Sequence, residues 1–292
     1  MEKTGAGGFT LLELAVVIAT VAVLTALLLP ALAGTRPNTQ AFQCLGNQRQ
    51  LILAWQMYAQ DNSDLLPPND YPYTTAAPVD GTEKNWVFGS MVVARDVLYG
   101  TRYQVDPTLT SLALYNTNPA VYKCPVDTFL NQGHIRARSV SMNCAVGTRW
   151  YSAGLGGGNA YGPVGSPVGG GWLTGTYQDP NPLYRTYGKA SSMTKPGPSS
   201  TWVIMDENPL TINDACLNIC MQPYLVDYPA NYHNGAAGIS FADGHTEMHK
   251  WVDVFAGVPP GGGAIPQVVI LTPPDSQSQD LAWIQPRTSA LK

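Results

Sequence analysis

The feature that most constrains this chain is an apolar run near its N-terminus, residues 9–33, which reads FTLLELAVVIATVAVLTALLLPALA. The run contains one charged residue, Glu13, and one proline, Pro30. A helix of this length rises about 37 Å at roughly 1.5 Å per residue, which is enough to cross a bilayer. The sequence therefore predicts a transmembrane helix over residues 9–34.

Three kinds of N-terminal segment could explain this run. In a plain membrane anchor, a central carboxylate such as that of Glu13 costs about 2.5–3.5 kcal/mol or more. A secretory signal peptide has an apolar core of about 7–15 residues with its cleavage site after the core, whereas here the run is longer and the glycine-rich residues 5–8 precede it. The third interpretation is a leader, residues 1–8, removed after Gly8 so that the mature chain begins at Phe9. Only this one explains the order of the features.

The segment from Gly8 through Phe9 to Glu13 closely resembles the N-terminal signal of type IV pilins and type II secretion pseudopilins. In that family a prepilin peptidase cuts after the glycine and methylates the new N-terminal amine, and a proline is common at the position of Pro30. The leader departs from the family pattern, because its one acidic and one basic residue cancel where the family leader is basic.

The resemblance implies a structural subunit of a type IV pilus-like or type II secretion pseudopilus filament. Its partners would be other pilin or pseudopilin subunits, the prepilin peptidase and the inner-membrane assembly platform. It would cross the inner membrane once before assembly, with its head in the periplasm, or form part of an extracellular filament.

Glu13 is the candidate residue for contact between subunits of such a filament. A carboxylate in an apolar helix needs a partner, and the free amine of Phe9 on a neighbouring subunit supplies one. The pair would set the axial register of packed helices, as buried polar groups do in coiled coils. The alternative is an ordinary anchor residue that extends to the lipid headgroups.

The remainder of the chain is predicted to form a second helix and a head. Residues 35–60 carry apolar residues at helical spacing, which indicates an amphipathic stem helix. Residues 61–255 contain short β-prone runs separated by Pro, Gly and Asn, at residues 85–94, 139–144, 200–205 and 238–242. Residues 154–175 form a glycine-rich insertion, and the tail, residues 256–292, is expected to dock on the head. The predicted fold class is α+β and pilin-like: a long N-terminal helix, half transmembrane and half amphipathic, packed on an antiparallel β-rich, loop-rich globular head.

A second pattern lies near the C-terminus, where His233 is followed after nine residues by Asp243 and Gly244. An Asp-Gly pair between alternating strands is typical of a type I′ hairpin turn. The pattern resembles the His-X9-Asp-Gly domain that accompanies pilin-like signals in large families from the Planctomycetes and Verrucomicrobia. Segments elsewhere fit the same family, namely those at Cys44–Asn47, Cys124–Asp127, Ser139–Asn143 and Met205–Glu207.

The acidic and imidazole groups of these segments are candidate metal ligands. The candidates are Asp206, Glu207, His233 and Asp243, with His245 as a further donor. Major pseudopilins carry calcium in their C-terminal loops, so the resemblance implies a Ca²⁺ ion in the head. The alternative is a structural network in which Asp243 binds its own turn and His233 binds a nearby loop.

The five cysteines leave several pairings open. Cys216 and Cys220 are close enough in sequence for a local disulfide. A bond between Cys44 and Cys124 would tie the stem to the head and contribute roughly 4 kcal/mol in the chain-entropy model. The competing pair joins Cys124 to Cys144, and all five residues could also be reduced.

Composition and missing motifs exclude other classes of function. A net charge of −4 and a pI near 5.5 argue against nucleic acid as a partner. The chain has no His-Glu-x-x-His, Gly-x-Ser-x-Gly or Cys-x-x-Cys motif, so we expect no enzyme activity. The alternative to a filament subunit is a membrane-anchored or filament-tip binding module, in which some of the 15 Tyr and 7 Trp residues contact a glycan or a surface.

Overall fold

The computed structural model describes residues 10–69, 84–92, 94–131, 133–149, 165–258, 269–270 and 277–292, with the backbone alone at 27–38, 94–99 and 269–270. Several predicted features therefore lie outside the described part: the leader with Gly8, Phe9, the side chain of Pro30, and residues 154–164 of the glycine-rich insertion. The chain divides into two units, Met1–Phe42 and Gln43–Lys292.

The helices are α1 at Leu11–Asp61, α2 at Ala94–Val105 and α3 at Gln279–Thr288. Short 3-10 turns lie at Ser111–Leu114, Pro119–Tyr122 and Ala190–Ser192. Ser278 begins α3, since its side chain accepts a hydrogen bond from the backbone N–H of Leu281 at 3.1 Å.

The structure contradicts the predicted fold class. Among the helical residues whose side chains are described, no stretch is long and apolar enough to cross a membrane. The predicted transmembrane helix, and the single-pass inner-membrane location that depended on it, are therefore wrong for the structure as described. The fold is mixed α/β.

The Gln43–Lys292 unit is built on one five-stranded sheet with the order β5-β3-β4-β7-β8. Its strands are β3 at Val140–Asn143, β4 at Trp202–Asp206, β5 at Cys216–Leu217, β7 at Ala236–Phe241 and β8 at Thr246–Lys250. Two-residue strands form two small pairs, β1 at Leu130–Asn131 with β2 at His134–Ile135, and β6 at Tyr224–Leu225 with β9 at Val269–Ile270. Strands β3 and β5 are parallel, so the sheet is mixed where an antiparallel one was predicted.

Three apolar clusters form the described core of this unit, and two of them are large. Buried side chains from the last part of α1, including Leu51, Ile52 and Trp55, pack with Met142 of β3 and Ile204 of β4. The second cluster joins the β7–β8 hairpin to the tail, with Ile239, Trp251, Phe255, Leu281 and Ile284 among its members.

The predicted strand at residues 85–94 is not formed in its described part, residues 85–92. Trp86 is buried there, and its indole N–H donates to Asn69 Oδ1 and to the carbonyl of Ala215, both at 3.1 Å. The β-prone composition of this run thus reflects packing in the core. In the described part of the glycine-rich insertion, residues 165–175, Leu173 is fully buried.

Candidate metal centre

Four side chains from four distant segments meet within the Gln43–Lys292 unit. Cys44 belongs to α1, Cys124 follows the 3-10 turn at Pro119–Tyr122, Asp206 is the last residue of β4, and His233 lies in the turn before β7. One potential ligand atom from each lies within 4.8 Å of those of the other three. Cys44, Cys124 and Asp206 are buried, and His233 is partly exposed.

Two close contacts link the four side chains in pairs. The thiol of Cys44 donates to Asp206 Oδ2 at 3.1 Å, and Cys124 Sγ lies 3.1 Å from His233 Nε2. Asp206 Oδ2 also accepts from the backbone N–H of Gly238 at 2.9 Å. Its second oxygen, Oδ1, is buried and has no hydrogen-bond partner among the described residues.

Local backbone structure presents Cys124 and His233 to this cluster. The backbone N–H of Cys124 donates to Ser139 Oγ at 2.7 Å, and its carbonyl accepts from Asp127 at 3.0 Å, which closes a tight turn. His233 is followed by two residues in the left-handed region, Asn234 at φ 55° and Gly235 at φ 87°. Asn and Gly tolerate this conformation best, so the sequence after His233 favours the turn.

Polar side chains of α1 fasten the helix to the β7–β8 hairpin beside the cluster. Gln48 Nε2 donates to the carbonyl of Gly238 at 3.2 Å, and Gln56 Nε2 donates to that of Ala242 at 3.0 Å. Arg49 binds the carbonyl of Gly244 in the same way. These bonds hold Cys44, one turn before Gln48, against the end of β4.

Three ionisable groups of the cluster, Cys44, Asp206 and His233, favour their uncharged forms. The hydrogen bond with Cys124, followed by burial, raises the pKa of Cys44. Burial raises the pKa of Asp206 to about 6 and lowers that of His233. Burial acts in this direction because charge is poorly solvated in the interior. A bound cation acts in the opposite direction on a thiol and a carboxyl group.

The structure brings together two of the four ligands predicted from the sequence, Asp206 and His233. Glu207 is buried but lies outside the cluster, because neighbouring residues of an extended chain point to opposite sides. Asp243 is exposed, and its Oδ1 accepts from the backbone N–H of His245 at 3.0 Å and lies 2.6 Å from His245 Nδ1. Asp243 therefore stabilises its own turn.

That turn is not of the predicted type I′. Type I′ requires positive φ at both central residues, and of the Asp243-Gly244 pair only Gly244 has it, at 94°. The backbone N–H of Phe241 donates to the carbonyl of His245 at 3.0 Å. This hydrogen bond encloses a three-residue loop, residues 242–244, which is a common hairpin loop with glycine in the left-handed region at its third position.

Sequence reasoning missed the cysteines as metal ligands, because it considered Cys44 and Cys124 only as disulfide partners. In the structure all five cysteines are free and buried, so neither proposed pairing of Cys124 nor the Cys216–Cys220 bond is formed there. Cys144 and Cys216 lie together in a third apolar cluster. A signal was present, since each cluster residue belongs to one of the segments that resembled the His-X9-Asp-Gly family.

In the first unit, Glu13 is bound within its own chain. Thr10 begins α1, and its backbone N–H and its hydroxyl both donate to Glu13 Oε2 at 2.9 Å, while the N–H of Glu13 donates to Thr10 Oγ1 at 3.3 Å. This is a capping box, Thr-x-x-Glu, which satisfies two free backbone donors of the helix. The hydrogen bonds from Thr10 lower the pKa of Glu13.

Comparison of the chain with protein-family models, with curated proteins and with solved structures gives no match.

Proposed function

We propose that the protein is a structural subunit of a pilus-like filament, which assembles through the N-terminal part of α1. The observation that carries the proposal is the apolar surface of this helix. Its large apolar side chains are exposed, with Leu11 at 87% and Leu12 at 75%. The exposed set comprises Leu11, Leu12, Leu14, Val16, Val17, Ile18, Val21, Val23 and Leu24.

These residues do not form a single stripe. Successive residues of a helix are separated by about 100°, so the set covers every side of α1. A helix that is apolar all round is stable only where neighbours surround it. Copies of the same helix provide such neighbours, since identical apolar helices can pack around one another in the centre of a filament. The prepilin-type signal at Gly8 and Phe9 supports this assignment.

Glu13 would have two roles in such a filament. Within one subunit it closes the capping box with Thr10, and both of these bonds use Oε2. In the assembled state its carboxylate would also receive the amine of Phe9 from a neighbouring subunit after the peptidase has cut at Gly8. A charge pair of this kind fixes the register of packed helices.

The test is to produce the chain together with a prepilin peptidase and an assembly system, and to examine the product by mass spectrometry and electron microscopy. The proposal predicts an N-methylated Phe9 at the N-terminus and filaments that contain the chain. A product that keeps Met1, or one that is processed but remains unassembled, would contradict it.

A matched pair of variants separates the two roles of Glu13. Thr10→Val removes the hydroxyl of the capping box and keeps the carboxylate, whereas Glu13→Leu removes the carboxylate as well. If Glu13 pairs with a neighbouring amine, Glu13→Leu abolishes filaments and Thr10→Val retains them. Equal effects of the two substitutions would show that Glu13 acts only in capping.

The donors of this cluster do not suit the predicted Ca²⁺ ion. Calcium takes six to eight oxygen ligands, whereas the cluster offers two thiols, one imidazole and one carboxylate.

A further inference from the structure

We propose that Cys44, Cys124, Asp206 and His233 bind one Zn²⁺ ion, which holds together the four segments that carry them. This inference concerns the Gln43–Lys292 unit and is independent of the filament proposal, since it uses no residue of the apolar N-terminal part of α1.

The chemical types of the four donors select the metal. Thiolates and imidazoles are the preferred ligands of Zn²⁺, and carboxylates also bind it. Two sulfurs with a nitrogen and an oxygen suit a tetrahedral site and do not suit Mg²⁺ or Ca²⁺, which favour oxygen. Four protein ligands close the coordination sphere, which is typical of a structural zinc site.

The distances fit such a site. Tetrahedral ligands placed about 2.0–2.3 Å from a zinc ion lie roughly 3.3–3.8 Å from one another. Here the two closest pairs are separated by 3.1 Å, and all four ligand atoms lie within 4.8 Å of one another. Shifts of less than about 1 Å would bring them to tetrahedral spacing.

Two further observations point to a ligand at this position. Asp206 Oδ1 is fully buried without a hydrogen-bond partner among the described residues, and buried polar atoms are rarely left in this state. Gly238 lies against the cluster, and a Cβ added to it would come within 3.0 Å of both Cys44 Sγ and Asp206 Oδ2. Glycine at position 238 therefore leaves room for Cys44 Sγ and Asp206 Oδ2 next to the backbone of β7.

The site lies close to the protein surface, because His233 is partly exposed although the other three ligands are buried.

The test is the zinc content of the full chain, purified under reducing conditions, dialysed with zinc and then freed of unbound metal. Elemental mass spectrometry should find one zinc per chain. His233→Ala and Cys124→Ser should lose it. The matched controls are His245→Ala, which lies outside the cluster between β7 and β8, and Cys144→Ser, which is buried elsewhere; both should retain it.

Circular dichroism separates loss of the ligand from loss of the fold. The proposal predicts that folded His233→Ala contains no zinc and that zinc no longer raises its unfolding temperature, whereas zinc raises that of the parent. If His233→Ala does not fold, Asp206→Asn, which keeps size and an acceptor oxygen, is measured in its place and should bind zinc at least about tenfold more weakly.

Three outcomes would overturn the proposal. One is a parent chain, reduced and folded, that binds no zinc. Another is equal loss of zinc in the cluster variants and their controls, which would indicate adventitious binding. The third is a peptide map of the protein isolated without reductant, in which Cys44 and Cys124 are joined by a disulfide that reduction does not convert into a zinc site.

Discussion

Cys44 Sγ lies 3.1 Å from Asp206 Oδ2, although 162 residues separate the two in sequence. The contact joins α1 to the end of β4, and Cys124 and His233 add two further segments at the same point. The bonds from Gln48 and Gln56 to the β7–β8 hairpin run beside it. This small region therefore adds to the apolar packing of Leu51, Ile52 and Trp55 in holding α1 within the Gln43–Lys292 unit.

Gly238→Ala should weaken the cluster. The new Cβ would lie 3.0 Å from Cys44 Sγ and from Asp206 Oδ2, which is too tight unless both atoms shift by a few tenths of an ångström. We expect about a tenfold loss of zinc affinity, the lower end of the range for residues that support metal ligands, measured by competition with a chromophoric chelator. Gly257→Ala, where an added Cβ meets nothing within 4 Å, is the control, and an equal loss there would contradict the prediction.

Gly46→Ala should stabilise the protein. Gly46 is an exposed residue of α1, and a Cβ there meets nothing within 4 Å. Alanine restricts the unfolded chain and favours the helix, which raises the free energy of unfolding by roughly 0.5–1 kcal/mol. Chemical denaturation measures this difference. A loss of stability would show that α1 is not helical at Gly46.

His249 should make the stability of the unit depend on pH. Its ring stacks on that of Trp283 of α3, with centroids 3.5 Å apart. Burial, with a smaller effect of the Arg287 charge, lowers the pKa of His249 from 6.5 to about 4. Between these values the unfolded chain binds more protons than the folded one, so this contribution is fully present above about pH 6.5 and is lost as the pH falls towards 4.

The measurement compares the parent with His249→Phe, which keeps an aromatic ring at the stack. The variant should lose less free energy of unfolding than the parent between pH 7 and pH 5. Exposed His134 provides the control, and His134→Phe should follow the parent. Parallel curves for the parent and His249→Phe would show that the ring does not titrate in this window.

Ile284→Ala should destabilise the docking of α3. Ile284 is fully buried in the cluster formed with Trp251 and Phe255, and truncation of a buried isoleucine costs about 2–5 kcal/mol. Leu291→Ala, at a side chain that is 66% exposed, should change the free energy of unfolding by less than about 0.5 kcal/mol. Similar values for the two would mean that the tail is not packed in solution.

Local features of this fold could be predicted from the sequence, and long-range ones could not. The runs at residues 139–144, 200–205 and 238–242 coincide with β3, β4 and β7, since strand propensity and flanking turn residues are local signals. The run at residues 85–94 has similar composition, yet Trp86 is held in the core by side-chain hydrogen bonds to Asn69 and Ala215. Sequence periodicity contains no information about those partners.

The candidate site shows the same limit. Asp206 and Glu207 are adjacent carboxylates, and the sequence gives no reason to prefer one of them as a metal ligand. Asp206 reaches the cluster because it is the last residue of β4 and its side chain lies on the side of the chain that faces Cys44. The spacing of Thr10 and Glu13 is enough to predict their capping box. The prepilin-type signal instead favoured a partner for Glu13 on a neighbouring subunit. The transmembrane prediction treated the apolar run at residues 9–33 as one span, and it was wrong, since no stretch among the residues whose side chains are described is long and apolar enough to cross a membrane.

The most direct test of the central claim is a crystal structure of the zinc-loaded full chain, with anomalous difference maps calculated from data above and below the zinc absorption edge. We predict one peak, about 2.3 Å from Cys44 Sγ and Cys124 Sγ and about 2.0–2.2 Å from His233 Nε2 and a carboxylate oxygen of Asp206. A map without a peak at these four side chains, or density for a bond of about 2.05 Å between the two sulfurs, would contradict the account.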